Sequence, residues 1–166
     1  MRPPSILDSD PLAIYLQDHL AGATAGFELA RRLAANNRSN EYGRALAAVA
    51  QQVGEDREAL IDAMRRLGIG PDRLKNALSW GAEKLGRAKL NGKLVGYSRL
   101  GRLEEIELLL LGVQGKLALW RTLRETKGDD DRLAGVDLDA LIARADSQRR
   151  RLERERVRAA RDAFAG

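Results

Sequence analysis

The chain has 166 residues and a formal net charge of +5, with 32% charged, 44% apolar and 4% aromatic residues. That balance suits one folded domain and excludes a disordered chain. Cysteine is absent and His19 is the sole histidine, which excludes disulfides, thiolate metal sites, iron–sulfur clusters and any site needing two imidazoles.

Residues 1–9 form an N-terminal arm without the apolar stretch of an export signal. Asp10-Pro11 then opens the first predicted helix, an N-cap followed by proline at the first helical position. It runs to about Asn36, and Asn36 to Asn40 is a polar turn. The second helix spans about Glu41 to Leu67 and stops at Gly68. Residues 68–99 are a connection long enough to cross a bundle, with a short helix from Pro71-Asp72 to about Lys89. The third helix spans about Leu100 to Lys127 and ends at Gly128. The fourth spans about Asp137 to Phe164. No segment alternates as a strand does. The expected class is therefore all-α: an antiparallel four-helix bundle, one domain over 1–166, with a short extra helix in the long connection between helices 2 and 3.

Periodicity supplies the seams. Leu46, Val53, Leu60 and Leu67 recur every seven residues, interleaved with Tyr42, Val49, Asp56 and Ala63. Leu103, Ile106, Leu110, Val113, Leu117 and Trp120 mark the third helix, and Leu138, Ala145, Leu152 and Ala159 the fourth. The third helix carries further apolar residues off its seam, namely Leu108, Leu111, Leu119 and Leu123. A second buried face follows, covered by the short helix or by another subunit, so a homodimer is expected.

The positive charge is local. Residues 71–128 hold 12 basic and 6 acidic side chains. Within them, Arg73, Lys75, Lys84, Arg87, Lys89, Lys93, Arg99 and Arg102 face only one acid, Glu83. Such a segment suits nucleic acid, anionic lipid or an acidic partner, or else is a solvated face. The arginines of the fourth helix alternate with acids at helical spacing and read as a salt-bridged surface.

His19 falls on the apolar arc of the first helix, and Asp56 on the seam of the second. The turn near residues 38–39 brings His19 level with Asp56 and Glu58. A core histidine bonded to a carboxylate and a ligand-binding or proton-transfer pair are both consistent with that placement. Gly22, Gly26, Gly54, Gly112 and Gly115 also sit inside helices, each costing about 1 kcal/mol relative to alanine. Close packing or space for a ligand would explain them.

Four long helices with a crossover between the second and third resemble the ferritin-like bundle class. That class holds two metals at mid-bundle through carboxylates and Glu-x-x-His pairs. Here helix 2 offers Glu55-Asp-Arg-Glu58 and helix 3 offers Glu104-Glu-Ile-Glu107, with glutamate where the class has histidine. Asp18-His19 and Glu28 lie on helix 1, and Asp139 and Asp146 on helix 4. The resemblance thus implies a ferritin-like fold whose metal site is absent or degenerate. Any divalent metal would draw on His19, Glu55, Asp56 and Glu58.

No phosphate loop, nucleophile elbow or DNA-reading helix pair is present. The sequence does not determine a function. Its first expectation is a non-enzymatic, cytoplasmic bundle without cofactor that acts through protein contacts. The alternatives are a small-molecule or metal-binding bundle around His19, and nucleic-acid binding through residues 73–102.

Overall fold

The computed structural model describes residues 10–70 and 97–165, together with the single positions 75 and 79. Four long helices, α1 (Pro11–Asn36), α2 (Gly43–Arg66), α3 (Arg99–Lys127) and α4 (Leu138–Phe164), carry these residues, with one 3₁₀ turn at Asp131–Leu133. No strand occurs among the described residues. None of their helices is long and apolar enough to cross a membrane.

Local chemistry sets the ends. The Asp10 carboxylate accepts from Leu12 N at 3.0 Å and Pro11 takes the first helical position. Ser98 caps α3 by accepting from Gly101 N at 2.9 Å, and Asp137 caps α4 by accepting from Ala140 N at 2.8 Å. Each cap pairs one backbone donor that the first helical turn leaves over. Gly68 follows α2 at φ +80°, a conformation that a side chain resists. A Cβ on Gly43 would lie 2.7 Å from the Asn37 carbonyl oxygen, so the α1–α2 turn closes only around a glycine.

The turn is organised by Asn37, which is fully buried. Its Nδ2 donates to Leu33 O at 2.8 Å and to the Tyr97 hydroxyl at 2.7 Å. Its Oδ1 accepts from Asn40 Nδ2 at 2.9 Å and Arg102 Nε at 2.7 Å. The end of α1 therefore meets the start of α3, and Arg32 pairs with Glu105 at 2.9 Å along the same contact. The start of α2 meets the end of α4, where Arg158 reaches Glu41 at 2.6 Å and Tyr42 donates to Asp162. At the opposite end, Arg132 donates to Leu67 O at 3.2 Å. Since α2 finishes at one end and α3 starts at the other, the 67–98 connection spans the length of the helices. The short helix expected within it lies outside the described residues, apart from Lys75 and Ser79, which are helical and exposed.

The expected seams of α2 and α4 are buried throughout. On α3 the expected Leu110 is half-buried and its neighbour Leu109 is buried instead. A straight helix drifts about 20° per heptad against a strict seven-residue period, enough to hand the seam to the adjacent side chain. Two apolar clusters result. One joins Leu16, Leu20, Leu60, Met64, Trp120 and Leu123 to Leu138 near the α3–α4 connection. The other joins Leu33, Tyr42, Leu46, Ile106, Val113 and Leu152 at the opposite end. Between them lie three of the four buried polar residues, Thr24, Asp56 and Gln148, with Asn37 at the turn.

Candidate functional site

The interval between the two apolar clusters is partly open. An open-sided cavity of about 300 Å³ lies at mid-bundle, bounded by α1, α2 and α3 and reaching solvent at the exposed Gly22 and Gly112. Its size follows from side chains that are missing. A Cβ placed on Gly22, Gly26, Gly112 or Gly115 would meet nothing within 4 Å. All four glycines line the cavity. Close backbone packing, one of the two reasons expected for interior glycines, is therefore not their role here. Gly54 differs, because a Cβ there would stand 2.7 Å from the Phe27 ring. That glycine makes room for an aromatic side chain.

Much of the wall is apolar, with Val53, Leu60, Leu109 and Leu119 among its residues. The polar wall comes from His19, Asp18, Asp56, Lys116 and Trp120. Asp56 is the most deeply buried of the charged groups, with no side-chain exposure. Three partners compensate it. Lys116 Nζ donates to Oδ2 at 2.5 Å, Gln148 Nε2 donates to Oδ2 at 2.9 Å, and Arg144 Nε donates to Oδ1 at 2.6 Å. Lys116 also donates to Gln148 Oε1 at 2.5 Å. Arg144 turns its outer face to Glu55 at 3.2 Å, and that carboxylate is half exposed. A buried carboxylate demands such pairing, since desolvation of an unpaired charge costs several kcal/mol (about 3–5 when one partner is removed). Burial lowers the Lys116 pKa below its ordinary value, while Asp56 beside it works in the opposite direction.

His19 lies at the edge of the buried face of α1, not at its centre. That face is formed by Leu16, Leu20, Thr24 and Leu33, and His19 is half-buried. The helix is rich in alanine and glycine, so its apolar arc is broad and its sequence left the centre open. The imidazole packs edge-on against Tyr15, with ring centroids 4.5 Å apart. Burial lowers its pKa, and Asp18 opposes the shift. His19 and Asp56 thus share one cavity, but the carboxylate is bonded to Lys116, Arg144 and Gln148. The hydrogen bond expected between His19 and Asp56 or Glu58 is not among those formed by the described residues. Glu58 instead pairs with Arg57 at 2.6 Å and points outward.

The four candidate metal ligands do not converge. Glu55 faces Arg144, Asp56 faces three donors, and Glu58 faces Arg57. Among the described residues, no group of three or more His, Asp or Glu side chains is placed to hold a metal ion. Most of the basic segment (Arg73, Lys84, Arg87, Lys89 and Lys93) lies outside the described residues. Lys75 and Arg99 are exposed. Arg102 is turned inward, bonded to Asn37 and stacked 4.6 Å from the Tyr42 ring centroid, so it does not belong to a solvated basic face.

Sequence reasoning missed Lys116, Arg144 and Gln148. Two of them left a signal. Gln148 stands between Ala145 and Leu152 at 3-4 spacing, and Lys116 stands between Val113 and Trp120 in the same way. Both are polar residues at positions that should be buried.

No family model, curated protein or solved structure matches the chain.

Proposed function

We propose that this chain is a single-domain, ferritin-like antiparallel bundle that binds a small, mostly apolar molecule at mid-bundle without catalysing a reaction on it. The mid-bundle cavity carries this reading. Its volume is about 300 Å³, roughly twice the apolar cavity of ~150 Å³ that admits benzene. By that scale it takes about twelve non-hydrogen atoms. Four helix-interior glycines hold the space open, each at a cost of about 1 kcal/mol in helix propensity. Convergent polar groups beside an apolar wall are the usual composition of a ligand site. The ferritin-like path is supported by the end-to-end helix contacts and by the length of the 67–98 connection. A cytoplasmic location rests on composition alone.

The test is calorimetric titration of the full chain with 1-octanol. One molecule binds per chain, and Gly112→Leu, which extends a side chain into the open space, abolishes binding. Absence of binding, or equal binding by the folded variant, overturns the proposal.

A second reading keeps protein contacts. Leu108 and Leu111 are one helical turn apart on α3 and are 59% and 70% exposed. Their neighbours Leu119 and Leu123 are buried within the chain, so the surplus apolar face expected on α3 narrows to this pair. It favours self-association. Sedimentation showing a monomer at tens of micromolar removes this reading, and Leu111→Glu should dissociate a dimer if one forms.

A further inference from the structure

The solvent side of α3 carries a row of residues at steps of three and four. Leu100, Glu104, Leu108 and Leu111 form its first half, and Gly115, Ala118 and Thr122 continue it. At 100° per residue they share about 80° of the helix circumference. All are exposed except Gly115, which is half-buried. Leu100, Leu108 and Leu111 are half of the large apolar side chains exposed among the described residues. Single exposed leucines need no explanation, whereas three in one row mark a contact surface.

The row is graded in size. Long side chains occupy the half before Leu111, and small ones the half after it. Turned end over end about an axis at Leu111, the row meets a copy of itself with large against small. Leu108 then faces Gly115, Glu104 faces Ala118 and Leu100 faces Thr122. A parallel pairing sets leucine on leucine and glutamate on glutamate, and leaves a gap at Gly115.

Charge is graded in the same sense. Glu104 is exposed in the first half, and Arg121 is exposed on the flank of the second. Asp146 feels the Arg121 charge but pairs with Arg149 at 3.0 Å and Arg150 at 2.5 Å. Arg121 is three residues past Ala118, about 4.5 Å along the helix axis, so its long side chain reaches a carboxylate facing Ala118. The antiparallel arrangement therefore brings opposite charges together, and the parallel one brings like charges together.

We propose that two copies of this chain pack α3 against α3, antiparallel about a two-fold axis at Leu111, with the large half of each row seated on the small half of the other. This rests on the self-association read from Leu108 and Leu111 and adds its orientation and register. It also completes the cavity. Gly115 lines that space, so the partner's Leu108 supplies an apolar side chain at its open side. A two-fold contact of this kind is closed and stops at the dimer. One helix row of about 33 Å buries less than the ~1,200 Å² of a standard interface, so dissociation falls in the micromolar range.

Disulfide trapping in the full chain tests it. The chain has no cysteine, so introduced thiols report only their own proximity. A disulfide needs Cβ atoms about 4 Å apart. Under mild oxidation Leu111→Cys should link to its own copy. A mixture of Leu100→Cys and Thr122→Cys should give the mixed dimer. Thr122→Cys alone should not link, since its two copies stand about 33 Å apart. Glu104→Arg should raise the dissociation constant roughly fivefold, and adding Arg121→Glu should restore it. If Leu111→Cys weakens the dimer, the mixed pair decides. A dimer in which Thr122→Cys links to itself, the mixed pair fails to link, or the double variant is no tighter than Glu104→Arg overturns this packing and leaves self-association standing. A monomer at tens of micromolar overturns both.

Discussion

Asp56 Oδ2 and Lys116 Nζ are 2.5 Å apart, joining α2 to α3 through the interior of the bundle. These two helices do not pack closely against each other; α1 and α4 stand between them. The long lysine stem makes the contact possible, and an apolar cluster flanks it on either side along the bundle. Asp56→Ala should therefore cost about 3–5 kcal/mol by leaving a buried ammonium without its counter-charge. Lys116→Met should cost less, because Asp56 keeps Arg144 and Gln148. Urea unfolding of both variants measures the difference. Equal losses would show that the aspartate does not depend on its remaining partners.

The glycines should divide into two classes. Gly26→Ala and Gly112→Ala add a methyl group to open space and should raise stability by about 1 kcal/mol through helix propensity. Gly54→Ala meets the Phe27 ring and should lower stability by about 1–3 kcal/mol through overpacking. Shifts of the urea midpoint at unchanged slope report these signs.

His19 should make the protein sensitive to mild acid. Its pKa is lowered in the fold from an ordinary value of 6.5, chiefly by burial. Between the ordinary and the lowered value the unfolded chain binds the proton more readily, so stability falls as pH drops through 6.5. The loss stops once the pH is below the folded value. His19→Gln should flatten the stability profile from neutral pH down through that window. A parallel profile for wild type and variant would contradict the lowered value.

Tyr42 should produce an alkaline counterpart. Burial, aided by the hydrogen bond to Asp162, pushes its pKa from 10.0 up to about 12. The unfolded chain ionises first, so stability present below pH 10 is lost as the pH rises towards about 12. Tyr42→Phe should remove that loss, at a cost of about 1–3 kcal/mol near neutrality from the missing hydrogen bond. Melting temperatures from neutral to alkaline pH test both halves.

Local chemistry made the helices legible in the residues. Asp10-Pro11, Gly68 and Asp137 act within one turn of themselves, so their neighbours suffice to place a helix end. The seven-residue spacing of Leu46, Val53 and Leu60 likewise needs no partner to mark a buried face. A mid-bundle level shared by His19 and Asp56 was also readable, because the turn at Asn37 sets the register of α1 against α2.

Tertiary packing decided what happens at that level. Asp56 could have faced His19 or turned away from it, since a few degrees of helix rotation select its partner. The partners turned out to come from α3 and α4, 60 to 92 residues away, and no local signal joins them to Asp56. The same holds for the glycines. Their positions are plain in the sequence, but only the separation of α1 from α3 distinguishes the four that border a cavity from the one that accommodates Phe27. Periodicity specifies which face of a helix turns inward; the distance and rotation between helices arise from all four packing together.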